Sequence, residues 1–415
     1  MTPIAKTALS ILTATASVLG GHLGVANGQE DATRMRVREL GVEIGVLPPG
    51  PLNAITDVQG VLVGHATVVE GDSIRTGVTA IRPHPGDVFL EKVPAAIYVA
   101  NGFGKLTGVT QIDELGTLET PVILTNTLAV GRVADALVRW SLDTTDDPAV
   151  RSVNPVVGET NDGFLNAIRV PRIGSAEVGS ALAAAEAGPV AEGSVGAGTG
   201  TRALGFKGGI GTASRQVQIG DEVYTVGALV QSNFGGALEI RGVPVGQRLG
   251  AADFIRRWLP TDTQTIGRDP SSESVAYRLT DEPDADGGSI VIVIATDAPV
   301  GADALIRIAR RAPYAIGRVG GFSSHGSGDY VIAFSTHPQL RISYRADETT
   351  TRRESLRAEA LSPLFLAAIE ATEEAILNSL FQATTVTGHR GTALALPLDR
   401  VRDVLEQANR LNPQR

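Results

Sequence analysis

The chain has 415 residues, 43% of them hydrophobic, which is enough for one large domain or two ordinary ones around a sizeable core. Its formal net charge of -9, without a basic stripe, argues against a nucleic-acid partner. The absence of cysteine excludes disulfides, thiolate nucleophiles and Cys-ligated metals.

The first 28 residues have the pattern of a secretory signal peptide. Lys6 supplies a positive charge, residues 8–19 are mostly apolar, and small residues precede a cleavage site expected after Ala26 or Gly28. A disordered or amphipathic N-terminus is the alternative, because threonine and serine interrupt the apolar run. No other run reaches the roughly 20 apolar residues of a membrane span. The sequence therefore predicts a soluble periplasmic or secreted protein without a membrane partner.

The predicted elements of the first hundred residues are short strands. Residues 40–65 mix β-branched pairs with Gly, Pro, Asn and Asp, which is typical of strands joined by tight turns. Residues 75–81 and 93–99 form the next two predicted strands. The second of these strands leads into a turn at 101–105.

Further along, predicted strands alternate with helices and end in polar side chains. A strand at 122–124 precedes a helical pattern that reaches Trp140, a strand at 155–158 precedes an Ala-rich helix at 176–188, and another strand covers 226–231. The polar residues that follow these strands are Thr125 to Thr127, Glu159 to Asp162, and Asn233. Polar groups gathered at strand ends are what a catalytic site at a sheet edge needs.

The most glycine-rich stretch is 193–217. It matches neither the Walker pattern nor the dinucleotide fingerprint, because it has no Gly-Lys-Ser/Thr and no GxGxxG turn directly after a strand. We therefore favour a glycine-rich loop that packs closely beside a site over a phosphate cradle. Residues 240–288 are predicted to be a long, irregular connection, with little order over 262–286.

The remainder of the chain contains two strong predicted strands and three helices. The strands cover 289–296 and 329–335, and a Ser/Gly-rich loop at 323–328 precedes the second. The helices are predicted at 303–311, 362–381 and 401–411. Ser362 is the expected cap of the longest helix, with Pro363 in its first turn. Because strands and helices mix without regular alternation, a mixed α/β class is indicated.

Ser289 stands at the very start of the first of these strands. Gly287 and Gly288 precede it, and a polar acidic segment lies at 281–286. A hydroxyl at the start of a core strand, behind an exposed loop, is placed where a chain can cut itself and leave a serine whose own α-amine serves as base. On this local pattern alone, an ordinary turn into a strand is the better interpretation.

Other titratable residues favour structural roles. The six histidines show no metal-ligand spacing, and the sequence contains neither HExxH nor GxSxG. Only His325, in the 323–328 loop, stands beside other candidate residues. Glu370 and Glu374 lie four residues apart on the 362–381 helix, where a solvated or cap-side face is preferred to a functional carboxylate pair. No metal or other cofactor is predicted.

The ordered motifs of the chain resemble the DmpA-like family of N-terminal-nucleophile aminopeptidases, which includes D-aminopeptidase/esterases and β-peptidyl aminopeptidases. The resemblance extends from about Leu40 to Leu396. Its motifs are GPLNAITDVQGVLVGH (50–65), RTGVTAI (75–81), NGFGK (101–105), TPVILTNTLAVG (120–131), VVGETNDG (156–163), GSVGAGTGTRALGFKGGIGTASR (193–215), TVGALVQSNFG (225–235), GGSIVIVIATDAP (287–299), GSGDYVIAFST (326–336) and LFLAAIEATEEAILNSL (364–380).

This resemblance implies a four-layer αββα sandwich, related to the ornithine-acetyltransferase type, in which one domain consists of two self-cleaved chains. The matching bond is Gly288–Ser289. Residues 29–288 would then form the large chain, and residues 289–415 the small chain, beginning with the nucleophile Ser289. Family members also assemble as homo-oligomers of the two-chain unit.

The resemblance also implies roles for individual residues. Ser327 and Asp329 match the family's catalytic pair, Asn233 matches its oxyanion-stabilising amide, and Glu159 matches the acidic residue that faces the substrate's free amine. The implied activity, at Ser289, is release of N-terminal L-, D- or β-amino acids from short peptides, amides or esters through an acyl-enzyme.

Two departures from the family pattern affect this expectation. The segment before Ser289 is long and acidic, and Asn161 stands beside Glu159 at a position where the family varies. Related nylon-oligomer hydrolases use threonine as nucleophile, so serine favours the aminopeptidase branch. The alternatives are an amide-oligomer endo-hydrolase, an aminoacyl transferase on the same apparatus, and a catalytically dead exported binding protein.

Overall fold

A computed structural model describes residues 34–251, 288–346 and 349–411. The expected signal peptide at 1–28, the acidic segment at 281–286 and the irregular stretch at 262–286 lie outside these ranges. The helices in the described ranges are α1 Val109–Leu115, α2 Val130–Thr144, α3 Ser175–Ala183, α4 Val245–Arg248, α5 Ala302–Ala309, α6 Tyr314–Arg318, α7 Ser362–Phe381 and α8 Leu398–Gln407. Within the same residues, no helix has the length and apolar character needed to cross a membrane.

Fifteen strands are found in the described part of the chain. They are β1 Leu62–Glu70, β2 Ile74–Arg82, β3 Glu91–Gly102, β4 Thr117–Leu118, β5 Val122–Asn126, β6 Val156–Thr160, β7 Arg202–Ala203, β8 Phe206–Lys207, β9 Gly209–Ile219, β10 Glu222–Asn233, β11 Ser289–Thr296, β12 Gly328–Ser335, β13 Ile342–Ser343, β14 Val386–Gly388 and β15 Gly391–Ala393.

Most of these strands belong to two sheets. The small sheet has the order β1-β2-β5-β6, and the large sheet has the order β13-β3-β12-β11-β10-β9, with β4 beside β3. Helices α2 and α3 pack on the outer face of the small sheet, and α5 and α7 pack on the outer face of the large sheet. The predicted four-layer αββα arrangement is therefore confirmed.

Strand β11 lies inside the large sheet and is covered on both faces. Ile290, Ile292 and Ile294 belong to the core beneath the helices. Val291 and Val293 belong to the core between the two sheets. Because neither face meets water, the strand has a continuous apolar sequence rather than an alternating one. This places the first residue of β11 at an end of the inter-sheet layer.

Residues 40–65 were predicted as strands joined by tight turns, and this is wrong for residues 40–61. The only regular element there is a single 3-10 turn at Ile55–Asp57, and the first strand begins at Leu62. The β-branched pairs are buried against other parts of the chain instead of pairing in a ladder; Ile44 and Ile55 are almost fully buried. Burial alone explains their apolar character, because tertiary packing overrides local strand propensity.

The glycine-rich stretch at 193–217 was predicted as a loop, but its second half is strand β9. Its glycines do allow close packing, as expected. A Cβ on Gly211 would lie 1.9 Å from the carbonyl oxygen of Ala375 in α7, and one on Gly209 would lie 2.3 Å from that of Gly193. Glycine is therefore needed for the backbones to approach each other here.

Two predictions for α7 also need correction. The helix begins at Ser362 with Pro363 in its first turn, as predicted for the proline, but Leu361 and not Ser362 occupies the cap position. Glu370 and Glu374, expected on a solvated or cap-side face, are buried. The reason is Arg215, itself fully buried, which lies 2.6 Å from a Glu374 oxygen and 3.3 Å from a Glu370 oxygen.

This buried ion network also ties the N-terminal segment to the layer of helices. Arg38 Nε donates to Glu374 at 2.7 Å, and Asn53 Nδ2 donates to the same carboxylate at 2.6 Å. The backbone N–H groups of Val46 and Leu47 donate to Glu370 at 2.9 and 3.0 Å. Both carboxylates are thus fully engaged in holding residues 38–53, and neither is available for catalysis.

Candidate active site

Ser289 is the first residue of β11 and is buried, with 6% of its surface exposed. Its register partners are Asn233, the last residue of β10, and Gly328, the first residue of β12. The N–H of Gly328 lies 3.2 Å from Ser289 Oγ and also 3.2 Å from the carbonyl oxygen of Gly288. A single backbone donor therefore faces both the hydroxyl and the peptide carbonyl that the hydroxyl would attack.

Gly288 lies against the end of β10 with no room for a side chain. A Cβ at this position would lie 2.7 Å from Phe234 Cα and 3.0 Å from the Gly235 nitrogen. Both neighbours are backbone atoms and cannot rotate away, so any larger residue would displace the chain. The Gly288–Ser289 peptide is consequently held close to Asn233.

Ser327 and Asp329 flank Gly328 at the start of β12. Both side chains are buried, and the Ser327 hydroxyl donates a short hydrogen bond to Asp329 Oδ1. Burial raises the pKa of the Asp329 carboxyl, while hydrogen bonds from Ser323 and Ser327 act in the opposite direction. The pair is therefore directly linked and lies one residue to either side of the register partner of Ser289.

The loop that carries Ser327 is fixed from the end of β3. Asn101 Nδ2 donates to the carbonyl oxygen of Ser324 at 2.9 Å and to that of Ser327 at 2.5 Å. The N–H of Phe103 donates to the same Ser327 oxygen at 3.1 Å. These contacts hold the backbone of the Ser327–Asp329 pair from the side opposite to Ser289.

Asn233 has a fixed amide orientation. Its Oδ1 accepts the backbone N–H of Arg202 at 3.0 Å, and the residue is buried. Since the donor is a backbone N–H, the amide oxygen must face it, and the amide nitrogen must face the other way. The Nδ2 group is therefore the part of the Asn233 amide that remains to act as a donor, on the residue that pairs in register with Ser289.

Glu159 is the fourth residue of β6 and comes from the small sheet. Only 2% of it is exposed. Its Oε1 accepts the Lys105 N–H at 3.0 Å, and its Oε2 accepts a short hydrogen bond from the Thr127 hydroxyl. The Lys105 ammonium lies 3.9 Å from Oε1 and is largely exposed. The carboxylate is thus held rigidly and, among the residues that the structure describes, has one weak and solvent-screened cationic partner.

Tyr330 of β12 connects Glu159 with the large sheet. A Cβ on Gly104 would lie 2.8 Å from the Tyr330 hydroxyl and 2.9 Å from Glu159 Oε1, so both groups border the same glycine. Burial, together with the negative charges of Glu159 and Asp329, raises the pKa of Tyr330 to about 12. Tyr330 stays protonated at neutral pH and supplies a hydroxyl donor beside the carboxylate.

Sequence reasoning missed Tyr330 and Arg202 as contributors to this region. Tyr330 matches the apolar pattern of a core strand, and Arg202 acts through its backbone N–H, which carries no sequence signal. Asn161, noted beside Glu159, is exposed, and its Oδ1 accepts the N–H of Gly163 at 2.9 Å. The ring of His325 packs against Phe103 at a tilt of 50°, with the ring centres 5.9 Å apart. Asn161 and His325 are both exposed and lie at the edge of the candidate site.

The other titratable groups show no metal-binding arrangement in the described residues. No three His, Asp or Glu side chains come together there closely enough to hold an ion. His65 is hydrogen-bonded to Thr79, and burial lowers its pKa to about 4. His84 is hydrogen-bonded to the carbonyl oxygen of Glu91.

Comparison with known proteins gives consistent results. The model of peptidase family S58 matches residues 53–394. The β-peptidyl aminopeptidase BapA of Sphingosinicella microcystinivorans is 39% identical over 395 residues, which cover 92% of this chain and 95% of the relative. Two solved structures also align over 91% of the chain. The Burkholderia sp. β-aminopeptidase has a TM-score of 0.78 at 40% identity and is covered completely.

The second is the L-aminopeptidase D-Ala-esterase/amidase of Ochrobactrum anthropi, described as a prototype for the serine aminopeptidases and a new variant among the Ntn hydrolase fold. It has a TM-score of 0.77 at 38% identity, and 99% of it is covered.

Proposed function

The chain belongs to peptidase family S58, and on that premise we propose that it is a serine aminopeptidase that cuts its own backbone before Ser289. The observation that carries the proposal is the position of Ser289. It begins a buried strand directly after a glycine that tolerates no side chain, it pairs in register with Asn233, and its hydroxyl faces the N–H of Gly328.

Self-cleavage would proceed by an acyl shift. Ser289 Oγ attacks the carbonyl carbon of Gly288, the C–N bond breaks, and the hydroxyl proton passes to the departing nitrogen, which becomes the α-amine of Ser289. Water then adds to the resulting ester, releasing the carboxylate of Gly288 and restoring the hydroxyl. The 3.2 Å contact from the Gly328 N–H to the Gly288 carbonyl oxygen supports this step, because that donor is placed to stabilise the developing oxyanion.

The freed serine would then act on substrates with its own amine as base. An α-amine has a pKa near 7.7–8.0, so much of it is neutral at mildly alkaline pH and can accept the Oγ proton. Ser289 Oγ forms an ester with the substrate's acyl group, the leaving amine or alcohol takes the proton, and water hydrolyses the ester. Asn233 Nδ2 would donate to the oxyanion, and Ser327, polarised by Asp329, would orient the amine.

Glu159 would select substrates with a free amine. Its carboxylate is buried and rigid, and the exposed Lys105 is its one ion-pair partner among the described residues. A substrate ammonium at this position gains a charge-assisted hydrogen bond. The proposed substrates are therefore short peptides, amides or esters with an N-terminal L-, D- or β-amino acid. Export directed by residues 1–28 and assembly into homo-oligomers of the two-chain unit are parts of the same proposal.

The decisive experiment is mass spectrometry of the purified protein with and without Ser289→Ala. The wild-type protein is expected to give two chains, the smaller beginning at Ser289, and the variant one intact, inactive chain. Ser289→Thr serves as the matched control, since it keeps a hydroxyl and should still be cut. An intact wild-type chain with full activity would refute the proposal, and an intact chain without activity would point to a binding protein.

A substrate panel separates the remaining enzyme classes. Aminoacyl p-nitroanilides with free and acetylated amines are compared, together with an amide oligomer and an added amine as acyl acceptor. Loss of activity on acetylation supports the aminopeptidase. Internal cleavage of the oligomer, or transfer to the added amine in preference to water, would instead support the endo-hydrolase or the transferase.

A further inference from the structure

Lys207 is a fully buried lysine to which the proposed reaction gives no task. Its Nζ donates to the carbonyl oxygens of Gly198 at 2.7 Å and Gly208 at 2.8 Å. Burial lowers the pKa of this ammonium to about 7, and the nearby Asp162 carboxylate acts in the opposite direction. Placing an amine without direct contact to a carboxylate in a core is costly, so its position calls for an explanation.

The position of Lys207 in the chain supplies one. Strands β7 and β8 form a small hairpin, residues 202–207, in which Lys207 is the register partner of Arg202. Two backbone donors of this 202–207 hairpin hold the end of β10. The Arg202 N–H donates to Asn233 Oδ1 at 3.0 Å, and the Leu204 N–H donates to the Phe234 carbonyl oxygen at 2.8 Å. The hairpin therefore fixes the direction in which the Asn233 amide points.

Lys207 closes the base of the hairpin. The two carbonyls it binds belong to residues on either side of the hairpin, and the same two residues are linked through Thr201. The Gly208 N–H donates to the Thr201 carbonyl oxygen at 3.1 Å, and the Thr201 hydroxyl donates to Gly198 at 3.0 Å. Without the ammonium, the Gly208 carbonyl loses a buried donor and the segment that leads into Arg202 is less constrained.

We propose that Lys207 is a positioning residue, which holds the 202–207 hairpin so that the Arg202 N–H orients the Asn233 amide towards the oxyanion. This inference rests on the proposed function, since it needs Asn233 to stabilise that oxyanion. Lys207 itself touches neither the nucleophile nor the substrate. Its effect must therefore appear in the chemical step and not in the binding of the substrate's amine, which is the task of Glu159 at the end of the small sheet.

The first test is steady-state kinetics of Lys207→Met on an aminoacyl p-nitroanilide. Rates are divided by the amount of chain with a free Ser289 amine, counted by mass spectrometry, so that incomplete self-cleavage does not enter. We expect kcat to fall about 10- to 100-fold, less than or equal to the loss of a whole oxyanion donor, with KM changed less than twofold. Lys92→Met, which removes a partly buried lysine paired with Glu119, is the control and should leave kcat unchanged.

A double-mutant cycle with Asn233→Ala is the sharper test. If Lys207 acts through the Asn233 amide, Lys207→Met should cause little further loss of kcat once that amide is gone. Equal losses of kcat in both backgrounds, or a rise of KM in step with the fall of kcat, would overturn the proposal. Lys207→Gln gives a variant that retains an N–H donor in the core, and it should recover part of the kcat that the methionine variant loses.

The outcomes also separate this inference from the proposed function. A wild-type protein that is never cut at Ser289 refutes the proposed function itself. A cut and active wild-type protein, in which both the methionine and the glutamine variants keep wild-type kcat, refutes only the role of Lys207.

Discussion

Replacing Glu159 by glutamine tests how this site recognises a substrate. The change removes one negative charge and preserves the shape of the side chain. The amide oxygen can still accept the Lys105 N–H, which now lies 3.0 Å from Oε1. The amide nitrogen can donate to Thr127, because a hydroxyl group can accept as well as donate. The local structure should therefore survive, and only the interaction with the substrate's ammonium should change.

The expected loss follows from what the charge contributes. A hydrogen bond that involves a charged group contributes about 1.5–3 kcal/mol, against about 0.5–1.5 kcal/mol for a neutral one. Glu159 is almost fully buried, so solvent screens this interaction little. Glutamine still offers a neutral acceptor, so the expected loss is the difference, about 1–1.5 kcal/mol. This should lower kcat/KM on a free-amine substrate by about 5- to 12-fold, since 1.4 kcal/mol corresponds to a factor of ten.

The assay compares two esters that have the same leaving group. One is an aminoacyl ester, and in the other a hydrogen replaces the amine of the acyl group. Glu159→Gln should reduce kcat/KM on the aminoacyl ester and leave kcat/KM on the ester without the amine nearly unchanged. The ratio of the two kcat/KM values should therefore fall. Asp113→Asn removes a carboxylate from α1 and is the control. Equal losses on both esters would show that Glu159 supports the structure of the site and does not read the amine, and the reasoning would then be wrong.

Two further predictions concern stability and pH. Arg215→Met should lower the free energy of unfolding by about 3–5 kcal/mol, because it removes the fully buried cation that pairs with both Glu370 and Glu374 and leaves Glu374 with the partly exposed Arg38. Arg139→Met, at an exposed pair, should hardly move the urea midpoint measured by circular dichroism. Protonation of the Ser289 α-amine, with a pKa near 7.7–8.0, should lower kcat on the acidic side in every variant. Since burial raises the pKa of Asp329, this carboxyl takes up its proton at a higher pH than an ordinary aspartate and should make that acidic fall of kcat steeper. Asp329→Asn should lower kcat and leave only the fall due to the amine, and an unchanged steepness in this variant would assign the second proton to another group.

The parts of the fold that sequence predicted well are those with a strong physical signal. Strands buried on both faces have continuous apolar runs, and β5, β11 and β12 were each found within a few residues of their true ends. Helix α2 shows a clear helical period. The strand prediction for residues 40–61 failed because β-branched residues also occur in irregular segments that tertiary contacts bury. No local sequence pattern separates such a buried irregular segment from a strand.

The candidate site was predictable only in part. Its side chains were visible as polar groups at strand ends, and the roles proposed for them came from the family resemblance. The supporting contacts were not visible. The N–H groups of Gly328, Lys105 and Arg202 have no sequence signature, since every non-proline residue carries one. The Glu370–Glu374 pair was misjudged because its partner, Arg215, is 155 residues away from Glu370 and only the fold brings them together.

The topology gives a physical reason why a cut before Ser289 would leave the molecule whole. Strand β11 would belong to the small chain and β10 to the large chain, yet all eight residues of β11 pair with β10, from Asn233–Ser289 to Val226–Thr296. On the other side of β11, β12 would also belong to the small chain, and it pairs with β3, which would belong to the large chain. The ion pairs from Arg215 and Arg38 to Glu374 cross the same division.

Cleavage would therefore break one peptide bond at a strand end without removing a ladder hydrogen bond from within these strands. The new amine would be created inside an intact sheet, beside the Asn233 amide and the Ser327–Asp329 pair. Self-cleavage and catalysis would thus use one arrangement of residues, assembled before the bond is cut.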